Sequence, residues 1–196
     1  MGKGAQTRET ILNEAVDLAS VAGLDGVTIG ALATHTGLSK SGLFAHFGSK
    51  ESLQVETLRA AAERFTDLVV SPALQQPAGT RRVRALFDKW LEWSGSHHGQ
   101  RGGCLFVASA VELDDQEGPA RDFLVEKQRQ WLDVISRSAR RAIEAGDFRE
   151  DVDTEQLAHD LYSIFLGYHH ARRLLRDPNA EARTRRAFEQ LIANAQ

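Results

Sequence analysis

The chain of 196 residues has little cysteine and little proline: Cys104 is its only cysteine, and there are four prolines. A single cysteine excludes an internal disulfide and fits a reducing cytoplasm. Few prolines leave room for long helices, which the abundant Ala, Leu, Arg and Glu favour. No apolar run approaches the roughly 20 residues that a transmembrane helix needs, and residues 1–6 lack the apolar stretch of a signal peptide. We therefore expect a cytoplasmic protein with no membrane partner.

Acidic residues are missing from one segment. The formal net charge is −3, and acidic side chains occur along the chain but not between Asp25 and Glu51. The same segment contains Lys40 and Lys50. Because a carboxylate repels the phosphates of DNA, a surface that faces DNA needs such a gap. Gaps of this length also occur in loops and buried helices, so charge alone leaves both interpretations open.

Apolar residues recur at helical spacing almost everywhere, and no convincing alternation of period two occurs. This pattern predicts an all-α fold of about nine helices. Glycine and proline breaks divide the chain into a small three-helix N-terminal domain (1–48), a connecting helix with a linker (49–79) and a larger helical C-terminal domain (80–196). The clearest linker is the stretch QQPAG at 75–79.

Two short helices are predicted within the first domain. Thr28 can cap one helix, Gly37 suits the turn because it tolerates a positive φ, and Ser39 can cap the next helix, over 40–47. Two short helices around such a turn form a helix-turn-helix, whose second helix enters the major groove. A helical hairpin that merely packs has the same pattern. The apolar residues expected to hold both helices against the first helix are Leu32, Ala33, Leu38 and Leu43.

The outward face of the second short helix is small and polar, and it comprises Ser39, Lys40, Ser41, Gly42 and His46. Small side chains let the backbone approach the groove, and Lys40 can reach a phosphate or a guanine edge. Thr28 and Ser49 lie at helix N-termini, where free amides favour a phosphate. Lys50 adds a positive charge beside Ser49.

The segment from Thr28 to Leu53 resembles the DNA-binding region of the tetracycline-repressor (TetR) family. The resemblance covers about the first quarter of the chain and rests on Thr28, Ile29, Leu32, Ala33, Gly37, Leu38, Ser39, Leu43, Phe44, His46, Phe47, Ser49, Lys50 and Leu53. The sequence departs from the family at Ser41, where many relatives have Gly, and at Phe44, where Tyr is commoner. Phe44 cannot offer a hydroxyl to a phosphate, so the contact that a tyrosine hydroxyl would make with the DNA backbone is not expected here. The resemblance implies a DNA interface made of Thr28, Ser39, Lys40, Ser41, Gly42, Phe44, His46, Ser49 and Lys50.

The resemblance further implies a repressor without a cofactor. A homodimer would bind a palindromic operator in double-stranded DNA, and a small, largely apolar effector bound within 80–196 would release it. The expected effector contacts are Trp90, Cys104, Phe106, Glu112, Trp131, Tyr162, Phe165 and His169. Large aromatic residues at helical spacing also form ordinary cores. Glu112 either orients a polar group of the effector or marks the solvent face of its helix.

Dimerisation is expected through the last two predicted helices, Thr154–Arg176 and Pro178–Ala195. Both carry apolar stripes, and Gly167 would let a partner helix approach closely. A basic cluster forms the expected charged flank of that interface: Arg172, Arg173, Arg183, Arg185 and Arg186.

Other chemistry has weaker support. A thiol at a helix start has a lowered pKa, which would suit a redox role for Cys104, yet a free cysteine is more often a small buried hydrophobe. The adjacent pairs His97–His98 and His169–His170 cannot chelate alone, because neighbouring helical residues point about 100° apart. We therefore expect no metal site. The rival functions are a DNA-organising protein without an effector and an all-α enzyme, for which no catalytic motif is present.

Overall fold

The computed structural model describes residues 3–95 and 102–196, with side chains from Thr7 onward. The described residues form ten α-helices and no strand, which confirms the all-α fold. The helices are α1 (Lys3–Ala22), α2 (Ile29–Thr36), α3 (Lys40–Phe47), α4 (Lys50–Phe65), α5 (Ser71–Leu74), α6 (Thr80–Ser94), α7 (Leu105–Leu113), α8 (Pro119–Glu144), α9 (Thr154–Arg173) and α10 (Ala180–Ala195). A π-helical turn, Thr66–Val70, connects α4 to α5.

The chain folds into two compact units that differ from the linear division 1–48, 49–79 and 80–196. The first unit comprises Met1–Phe65 and Gly95–Lys127, and the second comprises Thr66–Ser94 and Gln128–Gln196. Helix α7 therefore belongs to the same unit as α1–α4, although the sequence argument placed it in the C-terminal domain. The predicted linker at 75–79 forms the turn between α5 and α6, inside the second unit.

In the first unit, α1–α4 form a small core around the apolar stripe of α1. The fully buried residues that α2, α3 and α4 contribute to this core include Leu32, Leu43, Leu53 and Leu58. Arg8 of α1 joins the elements: its guanidinium lies 5.5 Å from the centre of the Phe47 ring and donates to Glu56 Oε2 at 2.7 Å.

Leu38 was predicted to hold the two short helices against α1, and this prediction is wrong. Its side chain is 42% exposed, whereas Leu32, Ala33 and Leu43 are buried as expected. Leu38 lies between the Gly37 turn and the Ser39 cap, outside both helices. Helical periodicity therefore does not apply to it.

Helix α7 is held against the end of α1 by a close backbone approach. The Gly102 N–H donates to Ser20 Oγ at 3.3 Å, and the Ser20 hydroxyl donates to the Asp17 carbonyl oxygen at 2.8 Å. A methyl group on Gly102 would overlap the Ser20 carbonyl oxygen. Further along α7, Phe106 meets Phe65 edge to face, with ring centres 5.8 Å apart.

The second unit has an aromatic core. Phe87 of α6 stacks on Phe188 of α10 with ring centres 3.9 Å apart, and Trp90 stacks on Phe165 of α9 at 4.0 Å. The start of α6 is fixed by Asp147, whose Oδ2 accepts from the Thr80 N–H at 2.8 Å. None of the described helices is both long and apolar enough to cross a membrane.

Gly102→Ala should destabilise the first unit, because the new methyl group can be accommodated only if α1 or the start of α7 moves. Overpacking of this kind costs about 1–3 kcal/mol of unfolding free energy, measured by urea denaturation. Gly30→Ala in α2 is the matched control, since a methyl group there meets nothing closer than 3.7 Å. Equal stability of the two variants would contradict the close approach.

Candidate nucleic-acid interface

Helix α2 has the predicted cap at each end. Thr28 is extended (φ −120°, ψ 158°), and its Oγ1 accepts from the Ala31 N–H at 3.0 Å. At the other end Gly37 has a φ of 70°, a left-handed conformation that costs glycine little. The Thr28 hydroxyl therefore holds the helix start, where the first amides of a helix have no intrahelical partner.

Helix α3 is capped in the same way. Ser39 Oγ accepts from the Gly42 N–H at 3.1 Å, and a side chain at position 42 would crowd that hydroxyl. The helix ends at Gly48, whose φ is 73° and whose N–H donates to the Phe44 carbonyl oxygen at 2.8 Å. Local hydrogen bonds thus define both ends of the eight-residue helix.

One face of α3 is buried and the other is open. Leu43 and Phe47, four residues apart, point into the core, whereas the Phe44 ring is 59% exposed. The residues predicted to face DNA from this helix and its cap are all exposed: Ser39, Lys40, Ser41, Gly42, Phe44 and His46. The open face therefore carries small polar groups, one lysine, one histidine and one aromatic ring.

The start of α4 places two further predicted residues next to α3. Ser49 Oγ accepts from the Ser52 N–H at 3.0 Å and so acts as the cap. Lys50 Nζ lies 3.0 Å from Asp25 Oδ1. The hydrogen bond and the positive charge of Lys50 lower the pKa of the Asp25 carboxyl below its ordinary value. Asp25 was not among the predicted site residues; its one sequence signal is that it is the last acid before the acid-free segment.

The eight predicted effector residues divide between the two units. Trp90, Trp131 and Phe165 lie together in the second unit, where the Trp131 and Phe165 ring centres are 6.2 Å apart. Tyr168, which was not among the predicted effector residues, adds an edge contact to Trp90 at 5.9 Å. The remaining residues are Tyr162 and His169, half-buried on α9, and Cys104, Phe106 and Glu112, which belong to the first unit.

His169 carries an unusual polar atom. Its Nδ1 is buried and has no hydrogen-bond partner within the part of the chain that the structure describes. Burial disfavours the charged imidazolium and lowers the pKa of His169, and the nearby Arg173 and His170 act in the same direction. The ring therefore favours its neutral form.

Cys104 lies just before α7 and is 2% exposed, which agrees with a small buried hydrophobe better than with a redox thiol. Among the described residues, no group of three His, Cys, Asp or Glu side chains could hold a metal ion. His97 and His98 lie outside the described residues.

Comparisons with known proteins assign the family. The model of the N-terminal domain of bacterial regulatory proteins of the tetR family matches residues 11–57, and that of the tetracyclin repressor-like C-terminal domain matches residues 79–188. The HTH-type transcriptional repressor KstR2 of Mycobacterium tuberculosis is 28% identical over 162 residues, which is 79% of this chain and 75% of KstR2.

Solved structures agree with this fold. A TetR transcriptional regulator from Chloroflexus aurantiacus J-10-FL has a TM-score of 0.85 and 27% identity, over 98% of this chain and 96% of that one. A regulator from Saccharomonospora viridis, solved in complex with choline, has a TM-score of 0.82 and 21% identity, over 97% and 98% of the two chains.

The chain belongs to the TetR family, since the C-terminal family model alone covers more than half of it. It is a DNA-binding transcriptional regulator. Family membership confirms the expected partners: operator DNA, a small-molecule effector and a second copy of the chain.

Phe165→Ala should test whether this ring is part of the core or contacts the effector. Phe165 is fully buried between Phe87, Trp90 and Trp131, so its removal should cost about 3–5 kcal/mol of unfolding free energy. Tyr162→Ala, at a half-buried position on the same helix, should cost less. Thermal and urea denaturation of both variants measure the difference. A stable Phe165→Ala protein would favour the effector contact instead.

Proposed function

We propose that this protein is a repressor whose dimer binds a palindromic operator through α3 and leaves it when an effector binds. The observation that carries the proposal is the open face of α3. This face carries small polar groups together with Lys40, Phe44 and His46, lies in an acid-free segment and is fixed by caps at both ends. A helix of this kind can enter the major groove, where its side chains meet base edges.

The predicted interface residues divide by the contact that they can make. Lys40, Ser41 and His46 can donate hydrogen bonds to base edges, and Gly42 permits a close approach of the backbone. Thr28, Ser49 and Lys50 lie at the starts of α2 and α4, where amide groups and positive charge favour phosphate. Phe44 offers an apolar surface, which suits a thymine methyl group.

Lys50→Ala should weaken binding to every DNA sequence and reduce the slope of log affinity against log salt by about one unit, since one phosphate contact is lost. The measurement is a titration of labelled operator, selected from random duplexes, over a range of salt concentrations. Lys89→Ala on α6 removes the same charge from the second unit and should change neither affinity nor slope. An unchanged slope for Lys50→Ala would remove Lys50 from the interface.

The dimer is proposed to form through α9 and α10. α9 exposes Leu166 to 40%, and a methyl group on the adjacent Gly167 would meet nothing within 4 Å. Leu174 and Leu175, just beyond the end of α9, are 71% and 62% exposed. Exposed apolar residues beside a glycine give a helix face that another copy can cover closely. Two-fold symmetry then requires an inverted repeat in the operator.

Leu166→Glu should convert the dimer into a monomer, because it places a charge in the proposed apolar interface. Sedimentation at micromolar concentration measures the change, and operator affinity should fall as the second half-site is lost. Leu74→Glu on α5 is the matched control, because Leu74 is equally exposed at 41%. A dimer that survives Leu166→Glu, or a wild-type chain that sediments as a monomer with operator, would contradict the proposed interface.

The effector is proposed to be a small, largely apolar molecule with a hydrogen-bonding group. Tyr162 and His169 are the half-buried members of the predicted effector set in the second unit. His169 Nδ1 has no hydrogen-bond partner among the described residues, so it can meet a polar group of the effector. The solved structure of KstR2 is described as that of a ketosteroid transcriptional regulator, and the Saccharomonospora viridis regulator holds choline. Release requires that the effector prefer the form that does not bind DNA.

The regulator is proposed to act in the cytoplasm and to have no catalytic activity. The buried single cysteine supports a reducing compartment, and membership of a family of regulatory proteins supports a role in binding. Loss of operator binding in the presence of the effector would support release by the effector. Recovery of the effector chemically unchanged would support the absence of catalytic activity.

A further inference from the structure

Lys50, the proposed phosphate contact at the start of α4, is held by a carboxylate of its own chain. Its Nζ lies 3.0 Å from Asp25 Oδ1, although the two side chains remain 47% and 63% exposed. Gln54 binds the same loop, because its Nε2 donates to the Leu24 carbonyl oxygen at 3.1 Å. A DNA phosphate that approaches Lys50 therefore meets an ammonium group that is already paired with the Asp25 carboxylate.

Gln54 Nε2 of α4 also lies 3.5 Å from Asp25 Oδ1, and the backbone of Asp25 is bound by α7. The Asp25 backbone N–H donates to Glu112 Oε2 at 3.0 Å, 87 residues further along the chain. The other carboxylate oxygen of Glu112 lies so close to Gly23 that a methyl group at position 23 would overlap it. Gly23 also has a φ of 79°, which favours glycine. The loop between α1 and α2 therefore rests on the Glu112 carboxylate.

We propose that Asp25 competes with DNA phosphate for Lys50, and that Glu112 is the positioning residue that holds Asp25 in its competing place. The inference rests on the proposed function, in which Lys50 contacts phosphate. Phosphate and the Asp25 carboxylate repel each other, so operator binding must weaken the Lys50–Asp25 pair. A shift of α7 relative to α1 would then change the availability of Lys50 without any movement of α3.

Asp25→Asn tests the competition. The amide keeps the size of the side chain but removes its charge, so operator affinity should rise about 2- to 5-fold at low salt, as expected for an exposed ion pair. The gain should shrink as salt is added, because exposed charges are screened. In the Lys50→Ala background the same substitution should give less than half of that gain on a logarithmic scale, since no lysine is left to release.

Glu112→Ala and Glu112→Gln test the positioning role. Alanine removes the acceptor, so exchange of the Asp25 amide hydrogen should accelerate about 2- to 12-fold, which corresponds to the net free energy of one hydrogen bond. Operator affinity should rise as in Asp25→Asn, and Glu112→Ala should add nothing in the Asp25→Asn background. Glutamine keeps an acceptor oxygen but removes the negative charge, and it should behave like the wild type. The comparison separates the effect of the hydrogen bond from the effect of the charge of Glu112. Glu117→Gln, an exposed acid in the α7–α8 connection, controls for general repulsion of DNA.

The outcomes separate this inference from the proposed function. An unchanged salt slope in Lys50→Ala would defeat the phosphate contact, and the competition with it. A normal loss of slope, together with an equal gain from Asp25→Asn with and without Lys50, would leave the interface intact and overturn the competition. An effect of Glu112→Ala that persists in the Asp25→Asn background would overturn the positioning role. Circular dichroism and thermal melting establish that each variant is folded. Should Glu112→Ala unfold, a Glu112→Gln protein whose Asp25 amide exchange or operator affinity differs from the wild type would still overturn the role of the hydrogen bond.

Discussion

The exposed face of α3, which is proposed to contact DNA, depends on one constraint: α3 is short. A helix of eight residues is too short to be stable by itself, so its shape must come from its ends and from burial. Ser39 and Gly48 satisfy the ends, while Leu43 and Phe47 anchor one face in the core. Arg8 reinforces the anchor, since it covers the Phe47 ring and binds α4 through Glu56. Because the buried contacts of α3 lie on one side, the side chains of Lys40, Phe44 and His46 on the opposite face stay exposed and can meet DNA.

The parts of this arrangement that could be predicted from the sequence are those that act over a few residues. The caps at Thr28 and Ser39 each join a hydroxyl to an amide three residues ahead, so the residue types alone indicate them. The Lys50–Asp25 pair spans 25 residues and the Gly102–Ser20 contact spans 82, and no local pattern announces either. Leu38 illustrates the opposite error, because an apolar residue in a turn was assigned a helical periodicity that applies only within helices.

The aromatic residues show a second limit of prediction from the sequence. Helical spacing indicates that Trp90 and Phe165 point inward, but it cannot say whether they face each other or a ligand. In the fold they stack on each other at 4.0 Å. The division of the predicted effector residues between two units was equally hidden, because it depends on α7 packing against α1 rather than on the order of elements along the chain. Glu112 was singled out as an acid in an apolar helix, and in the structure its carboxylate accepts from the Asp25 amide.

The hydrogen bond between Glu112 and the Asp25 amide links α7 to the proposed DNA-binding residues. Segment 79–188 matches the C-terminal family domain, yet its helix α7 lies in the same compact unit as α2 and α3 of the helix-turn-helix. A change in α7 therefore reaches the start of α4 through one loop, by way of Glu112, Asp25 and Lys50. An exposed ion pair contributes at most about 1 kcal/mol, which corresponds to roughly a fivefold change in affinity. Allosteric coupling energies begin at about that size, so one shared lysine can supply a measurable part of the response while α3 keeps its caps and its anchor.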